Sequence, residues 1–433
     1  NYALNLKGDA PAQGKMDISV VNIEENAGQV PVNYVLPPGV TRIIDPGQSQ
    51  ITQLNEQAMS LKVTDLQSGD ARAVYKNSGM DMRTYKRLQM FVHAEKLIDD
   101  KTNLRDGDVS VFLRLGSDSK SNYYEYEVPL SLTEPGNYST YNAQDQEAVW
   151  PQSNMFDFPL SLFTDLKLER NAKKRMDNST VTFQTRYSSY DPDKNQNKVT
   201  IVGNPSLSDV RTMMIGVRNN SNAAKDIVVW VNEMRLTDFD QSGGWAAKAN
   251  VNLGLSDIAT LNIAGHVETV GFGGIDQSLT ERRLDDYYQY NIATMVELGR
   301  FLPEKVKLKA PLFYSITEQR TSPKYNPLDQ DILLKDALDN AGSKAERDSI
   351  SDASIEKSTV ESFSLSGVSF DIRSKNPMPY DPANFSISYS YNRQSKQDPT
   401  TEFENTYDYR GSFTYSYTPF VKPFVPLKGL KSK

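Results

Sequence analysis

The chain has 433 residues, a formal net charge of -7 and a mean hydropathy of -0.57. Its 38% apolar and 24% charged residues are typical of a folded protein with a large polar surface, and the negative charge gives no support for nucleic-acid binding. No run of about 18 apolar residues occurs, which excludes membrane-spanning helices. Cysteine is absent, which excludes disulfides and thiolate metal sites.

Residues 1–84 are rich in turn-forming residues and have little periodicity. The chain starts at Asn1 without an initiator methionine or a secretion signal, so we expect a processed protein or a piece of a longer one. Turn signals such as Pro37-Pro38-Gly39 interrupt the segment, and only a few stretches, for example 58–63, have strand-like composition. We predict an extended N-terminal strap with short strands.

Residues 85–240 contain short alternating segments separated by polar turns, which predicts an antiparallel, jelly-roll-like β-sandwich. The predicted strands cover residues 88–94, 109–115, 123–130, 181–187, 212–217 and 227–236. The last of them contains the run DIVVWVNEMRL, whose consecutive β-branched residues and tryptophan predict a central strand that is buried on both faces.

From residue 241 onward the alternation becomes strict and long. Trp245 and every second residue as far as Leu255 are apolar, whereas Lys248, Asn250 and Asn252 lie on the opposite face. A period of two sustained over this length is what a tilted strand needs to cross a bilayer. Six similar segments follow, near residues 259–268, 288–298, 305–316, 363–372, 385–391 and 407–417. In the segment near 363–372 a phase slip at Gly367 predicts a β-bulge.

Alternation alone does not distinguish a lipid-facing sheet from a soluble sandwich. The segments are longer than the strands of about 5–6 residues that are usual in globular proteins, and tyrosines gather at the ends of the apolar face, as in an interfacial girdle. The connections after Leu255 and Leu298 are about three and about seven residues, against about twenty after Val267 and more than about forty after Ile316. Short turns on one side and long loops on the other are typical of outer-membrane barrels.

We therefore predict an all-β protein in which residues 241–433 are antiparallel transmembrane strands from part of a barrel wall. Seven strands alone would leave two unpaired edges, so further strands must lie elsewhere. If the short turns are periplasmic, the strand at Trp245 starts on the outer side, which makes the sandwich of residues 85–240 an extracellular cap domain. Ile332, Leu333, Ala337 and Leu338 recur at helical spacing, which predicts a helix near 327–348 in the longest loop.

No constellation of catalytic, cofactor-binding or metal-ligating residues emerges. The two histidines, His93 and His266, fall in different predicted domains and cannot share a metal ion, and we expect His93 to be a half-buried strand residue. Asp238 and Asp240 are two carboxylates near a predicted loop, too few to define a calcium site. We expect a protein that is not an enzyme.

The polar face of the predicted barrel strands would line a water-filled lumen. The residues predicted to line it are Lys248, Asn250, Asn252, His266, Glu268, Lys305, Lys307, Lys309, Asp408 and Arg410. This assignment depends on strand register, because an error of one residue exchanges the two faces.

Several long stretches resemble one known family. They are NYVLPPGVTR (33–42), QLNEQAMSLKVTDLQSGDARAVYKN (53–77), DMRTYKRLQMFVHAEKL (81–97), VWVNEMRLTDFD (229–240) and SPKYNPLDQDILLKDAL (322–338). These runs look like the SprA family, also called Sov, the outer-membrane translocon of the type IX secretion system of Bacteroidetes. Members are much longer than this chain, which would then be a fragment.

The resemblance implies a very large single-chain barrel that exports folded proteins and is linked to gliding motility. It implies secreted substrates with a C-terminal export domain, a PorV-like barrel protein and a plug protein as partners, contact with outer-membrane lipids, and no cofactor. Two other functions remain open from the residues alone. One is a secreted or surface sandwich that binds glycans or acts as an adhesin, and the other is an outer-membrane barrel for lipid assembly.

Overall fold

The computed structural model describes residues 2–5, 14–42, 53–278 and 281–419. They form antiparallel sheets with a few short helices, which confirms the all-β prediction. The chain divides into two compact units: unit 1 contains Asn1–Asp240 and Asp329–Ile332, and unit 2 contains Gln241–Leu328 and Leu333–Lys433. The division after Asp240 falls where the alternation in the sequence becomes strict.

Unit 1 is a sandwich of two antiparallel sheets. Its strands in chain order are β1 (Tyr2–Asn5), β2 (Lys15–Asn22), β3 (Gln57–Leu66), β4 (Asp70–Met80), β5 (Tyr85–Glu95), β6 (Val109–Gly116), β7 (Tyr123–Pro129), β8 (Phe156–Pro159), β9 (Tyr187–Tyr190), β10 (Lys198–Val202), β11 (Val210–Asn219) and β12 (Lys225–Phe239). One sheet has the spatial order β1-β4-β11-β6-β7-β10-β9, and the other has the order β2-β3-β12-β5-β8.

The predicted strap of residues 1–84 is corrected by this arrangement. Strands β1 to β4 are members of the two sheets, and β3 and β4 lie inside them, because β3 pairs with β12 and β4 pairs with β11. Strand β4 shows why these strands were hard to recognise. Its polar residues Asp70 and Arg72 are buried together with Ala71 and Ala73, so polar and apolar residues do not separate into an exposed face and a buried face.

The sandwich core lies between the two sheets. Alternate residues of β6, such as Val111 and Leu113, meet Leu61 of β3 and Val229 of β12 in one continuous cluster. The run around Trp230 is central in its sheet, as predicted, since β12 pairs with β3 on one side and β5 on the other. Residues 181–186 precede the short strand β9 and are not a strand, contrary to the prediction.

A second apolar layer covers the other face of the five-stranded sheet. Trp230, Trp150 and Tyr34 pack there, and His93 stacks on Trp230 with ring centroids 4.0 Å apart. His93 is fully buried, not half-buried, and its Nδ1 lies 2.8 Å from the carbonyl oxygen of Val149. Helix α1 (Ala143–Val149), which ends at Val149, thus covers the second face of the central strand, and the predicted burial of that strand on both faces is confirmed.

A buried cluster of charges holds the other sheet together on its outer face. Glu125 of β7 accepts hydrogen bonds from Arg114 Nε at 2.5 Å, Arg186 Nη2 at 2.5 Å and Arg218 Nη2 at 3.0 Å. Arg218 also pairs with Glu127. Burial raises the pKa of the Glu125 carboxyl, but the positive charges of Arg218, Arg114 and Arg186 outweigh it and lower that pKa to about 2.

Helix α2 (Ser161–Lys174) places two cations in the interior. Its buried residues Phe163, Leu166, Lys167 and Arg170 follow the spacing i, i+3, i+4, i+7, which defines one helix face. Because two of these four residues are charged, the apolar periodicity is weak, and the helix was not predicted from the sequence.

The ammonium group of Lys167 is fully buried and is neutralised by a segment distant in sequence. It lies 2.8 Å from Asp331 Oδ1, contacts Asp329, and donates to the carbonyl oxygen of Pro205 at 2.8 Å. Asp331 also accepts hydrogen bonds from the Tyr124 hydroxyl at 2.6 Å and from the backbone of Leu207 at 3.1 Å. Segment Asp329–Ile332 is thereby an integral part of unit 1.

Unit 2 is built on one antiparallel sheet. Its long strands are β13 (Ala246–Leu255), β14 (Ala259–Glu268), β15 (Asp285–Glu297), β17 (Pro311–Pro323), β20 (Glu356–Phe370), β21 (Phe385–Asp398) and β22 (Thr401–Tyr415), in that spatial order. The short strand β16 (Leu308–Lys309) pairs with β20. The chain further contains the short strands β18 (Tyr325–Asn326) and β19 (Asp329–Leu333). The predicted seven-strand set is confirmed, with 10 to 15 residues per strand.

Two local predictions in unit 2 have different outcomes. The β-bulge is confirmed, because the pairing register of β20 and β21 shifts between Leu365 and Val368 and Gly367 has a φ of +63°. The single helix near 327–348 is wrong: two helices form, α3 (Leu334–Asp339) and α4 (Lys344–Ser354), and Ile332 and Leu333 end strand β19 instead. Ser343 caps α4 by accepting a hydrogen bond from the backbone of Glu346.

The predicted alternation of short and long connections holds only in part. On one side the strands are joined by residues 256–258, 298–310 and 371–384, and on the other side by 269–284, 324–355 and 399–400. The two-residue turn 399–400 therefore lies on the side where only long loops are predicted. Asp398 stabilises this turn, because its Oδ1 accepts a hydrogen bond from the backbone of Thr400 at 2.9 Å.

Replacing Lys167 by methionine should destabilise unit 1 by about 3–5 kcal/mol, because Asp329 and Asp331 would lose their buried counterion. The free energy of unfolding can be measured by guanidinium denaturation followed by the fluorescence of the buried Trp150 and Trp230. Lys173→Met is the matched control on the same helix. Lys173 pairs with Glu169 at 2.9 Å but its side chain is 47% exposed, so we expect little change. Equal effects of the two substitutions would contradict the assigned role of Lys167.

The stability of unit 1 should fall in acid as Glu125 is protonated. Its pKa is lower in the folded chain than in the unfolded chain, so its contribution is complete above about pH 4.5 and is lost as the pH falls toward 2. The lost contribution is about 3 kcal/mol. The stability difference between the natural chain and Glu125→Gln should therefore shrink between pH 5 and pH 2. Glu147→Gln, which changes an exposed carboxylate of α1, should show no such pH dependence.

Candidate functional site: the polar face of the seven-stranded sheet

The pairing register of unit 2 sorts the side chains into two continuous faces. We call polar face the side that carries Asn250, Asn252 and their register partners, and apolar face the side that carries Val251, Leu253 and theirs. One row of partners crosses all seven long strands on the polar face. It consists of Asn252, Asn262, Ala293, Ser315, Ser362, Asn392 and Asp408.

Seven of the ten residues predicted to line a lumen share this polar face. Lys248 lies opposite His266, Asn250 opposite Ala264, Asn252 opposite Asn262 and Glu268 opposite Ala246. At the other edge of the sheet, Asp408 lies opposite Asn392 and Arg410 opposite Ser390. The structure thus brings residues from both edge strands onto one surface. Whether that surface lines a lumen stays a prediction.

The predicted strand position of the three lysines is corrected. Lys305 lies in the 3-10 turn Glu304–Val306, Lys307 follows it with a φ of 48°, and Lys309 ends the two-residue strand β16. The long strand begins only at Pro311. The reason is local: the left-handed φ of Lys307 breaks the extended backbone, so the segment between Pro303 and Pro311 pairs only through the two residues of β16.

Short amide and hydroxyl side chains dominate the middle of the polar face. Asn262 donates to the side-chain oxygen of Asn252, and Asn291 Nδ2 donates to Thr317 Oγ1 at 2.7 Å. Each such group offers one or two weak, exchangeable hydrogen bonds to water or to a passing chain. In the described residues no group of three or more His, Asp or Glu side chains is placed to hold a metal ion.

Several ionisable groups on the polar face lie close to a partner of opposite type. His266 Nε2 lies 3.0 Å from Glu268 Oε1, and Arg283 Nη1 lies 2.9 Å from Glu268 Oε2. Arg410 and Asp408 approach to 3.0 Å. These pairs leave the face polar without concentrating charge of one sign, so it has no strong preference for acidic or basic solutes.

A second row of large polar residues on the same face was not predicted from the sequence. After Lys248 and His266 the row continues through Gln289, Gln319, Ser358, Lys396 and Glu404. The alternation of each strand already separated these residues from the apolar ones. That they form one row across the sheet follows only from the pairing register between neighbouring strands, which the sequence of a single strand does not reveal.

The apolar face has no protein layer against it in the described part of the chain. No residue of the seven long strands is buried on either face, and large apolar side chains such as Leu255, Ile387 and Phe413 are 56%, 58% and 66% exposed. Tyrosines such as Tyr290 and Tyr314 extend from this face toward charged neighbours, Glu318 at 3.0 Å and Glu361 at 2.9 Å. Both carboxylates lie on this same face, since Glu318 is opposite Tyr290 and Glu361 is opposite Ile316.

None of the described helices is both long and apolar enough to cross a membrane.

The register that defines both faces can be tested with engineered disulfides, because the chain has no cysteine. Asn252→Cys combined with Asn262→Cys should cross-link under mild oxidation, since directly opposed residues have Cβ atoms about 4.5–5.5 Å apart. Asn252→Cys with Ile263→Cys should not, because residue 263 points to the apolar face. Mass spectrometry of the oxidised proteins gives the readout. A cross-link in the second pair alone would mean a one-residue slip.

No curated protein matches the chain. The family model SprA_N, described as motility related/secretion protein, matches residues 1–338. This match covers more than three quarters of the 433 residues, and it includes all of unit 1 and the first four long strands of unit 2. The resemblance found in the sequence is confirmed, and the chain belongs to the SprA_N family of motility related/secretion proteins.

Proposed function

We propose that the seven-stranded sheet is part of the wall of a protein-conducting pore in the outer membrane, used in type IX secretion. Family membership supplies the coarser function, which is motility or secretion. The observation that carries the finer proposal is the division of all seven strands into one exposed apolar face and one polar face.

Lipid is the proposed environment of the apolar face. Monomeric soluble proteins rarely expose a continuous apolar patch of more than a few hundred Å². Strands of 10 to 15 residues reach or exceed the length of about 9–11 residues that a tilted strand needs to cross a bilayer. The tyrosines and the charged residues beyond them, such as Glu318 and Lys357, would lie at the headgroup level.

The polar face would be the conducting surface. A passing protein has to bind weakly enough to leave, and isolated amide and hydroxyl groups such as those of Asn262, Ser315 and Ser362 suit this requirement. No catalytic group is needed for such a role, and we propose none. The energy for transport would come from other components of the secretion system.

A wall needs neighbours on both sides. Strands β13 and β22 are the lateral edges of the sheet, and their unpaired backbone groups could not remain bare in lipid. We propose that further strands of the same protein pair with these edges and close the barrel. Unit 1 would then be an extracellular cap domain.

The proposed partners follow from the family resemblance. They are secreted proteins with a C-terminal export domain, a PorV-like barrel protein, a plug protein and the lipids of the outer membrane. The net charge of -7 supports the view that nucleic acid is not among them.

The test compares two neighbouring residues on opposite faces, Asn262 and Ile263. Each is replaced by cysteine and labelled with a fluorescent dye in native membranes. A label at Ile263→Cys should be quenched by nitroxide lipids, and a label at Asn262→Cys by aqueous iodide. Tyr141→Cys, an exposed position in unit 1, is the control that only iodide should quench. Quenching of both sheet labels by iodide alone would favour a soluble sandwich over a membrane wall.

A second measurement separates export from lipid assembly. A photoreactive amino acid at position 262 should capture a secreted protein in actively exporting cells, whereas the same group at position 263 should capture lipid. Capture of lipid carriers at position 262 would contradict the proposed cargo.

A further inference from the structure

Unit 1 contains an open cleft that neither the family nor the proposed pore explains. It has a volume of about 580 Å³. It lies on the outer face of the sheet of unit 1 that has the order β1-β4-β11-β6-β7-β10-β9. The side chains that matter in it are Glu127, Arg186, Tyr190, Gln196, Lys198 and Arg218. All of its described lining residues belong to unit 1, so the inference does not rest on the proposed function of unit 2.

The floor of the cleft is rigid and preorganised. Arg218 is 4% exposed and is held by Glu125 at 3.0 Å and by Glu127. Within the described residues its Nε has no hydrogen-bond partner, so the two carboxylates do not exhaust its donors. Burial lowers the pKa of this guanidinium, but the two carboxylates outweigh burial and raise it, which keeps Arg218 charged.

The cleft carries excess positive charge in an acidic protein. Among its lining residues, Arg186, Lys198 and Arg218 face a single carboxylate, that of Glu127, which leaves a net charge of +2. The buried neighbours Arg114 and Glu125 cancel each other and do not change this balance. Lys198 has no carboxylate within 4 Å in the part of the chain that the structure describes, so its ammonium is available to a ligand.

An aromatic ring stands beside that free ammonium. Tyr190 of β9 lies directly opposite Lys198 of β10 in the sheet, and Lys198 lies opposite Glu127 of β7. Tyr190, the last residue of the edge strand β9, is 62% exposed, so its ring is accessible to a ligand. A flat ring, a cation and a carboxylate are thus aligned on three adjacent strands.

We propose that this cleft binds an acidic sugar, a uronic acid unit of a glycan. The ring of Tyr190 would pack against the C–H face of the sugar, as exposed aromatic rings do with apolar surfaces that have a polar edge. Lys198 and Arg186 would bind its carboxylate. The amides of Gln196 and Asn220 and the hydroxyl of Ser110 would bind its hydroxyl groups.

A peptide is the less suitable occupant. A peptide ligand usually adds a strand to a sheet edge or fills apolar side-chain pockets. The cleft crosses the strands from β11 to the edge strand β9 and does not run along an edge, and seven of the nine described lining residues are polar or charged.

The test is titration calorimetry of the full chain in detergent with trigalacturonic acid. We expect binding that weakens in about 0.5 M salt. Lys198 is partly exposed to solvent, and dissolved ions screen the attraction between its ammonium group and the carboxylate of the sugar. The neutral sugar maltotriose, triglutamate peptide and inorganic phosphate should bind at least about tenfold more weakly, a difference of about 1.4 kcal/mol.

Tyr190 is exposed and Lys198 is partly exposed, so variants at these two positions should fold normally. Tyr190→Ala should raise the Kd for trigalacturonic acid about two- to tenfold, the range for loss of one aromatic contact. Lys198→Gln should raise it about two- to fivefold and reduce its salt dependence. The matched controls Tyr141→Ala, at a site that is 99% exposed, and Lys101→Gln should leave the Kd unchanged.

Three results would overturn the proposal. They are absence of binding to trigalacturonic acid, tighter binding of triglutamate or phosphate, and equal losses in the cleft variants and their controls. Tighter binding of triglutamate would instead identify the cleft as a site for acidic peptides.

Discussion

Every part of this protein depends on the two-residue period of the β-strand, which sends successive side chains to opposite faces of a sheet. The backbone ladder satisfies the same hydrogen bonds in both units. What differs is the environment of the two faces. In unit 1 both faces of the central strands are buried, whereas no residue of the long strands of unit 2 is buried on either face.

Burial of both faces in unit 1 forces polar residues into the interior. Strand β6 has eight residues and all of them are buried, including Ser110 and Arg114. Charges in such positions must be paired, because an isolated charge in a medium of low polarity costs several kcal/mol. The cluster around Glu125 and the contacts of Lys167 with Asp329 and Asp331 meet this condition. They also tie β7, β11, α2 and a segment more than one hundred and fifty residues away into one unit.

The proposed functions use the two faces that remain accessible. In unit 2 the apolar face would contact lipid and the polar face would contact cargo, so the pore proposal needs both. In unit 1 the accessible surface is the cleft beside the buried charged cluster, where Lys198 and Tyr190 can contact a ligand. The buried charged residues that stabilise the sheet thus also form one side of the proposed binding site for a sugar acid, and their ion pairs keep that side rigid.

The sequence alone determined the features that depend on one strand at a time. The all-β class, the seven long strands and the bulge at Gly367 follow from local periodicity. Since two-residue alternation is set by backbone geometry, it can be read without knowing the partner strand. The assignment of Lys248, His266 and Asp408 to polar faces has the same origin.

Only the tertiary structure decided what depends on distant partners. The sequence could not show that Arg114 and Arg218 share Glu125, or that Lys167 meets Asp331, because these contacts join residues far apart in the chain. The membership of β3 and β4 in the sandwich, the cover that α1 provides over Trp230, and the division of the predicted helix into α3 and α4 were also inaccessible. In each case the outcome depends on a remote segment, and local patterns carry no information about which remote segment will make the contact.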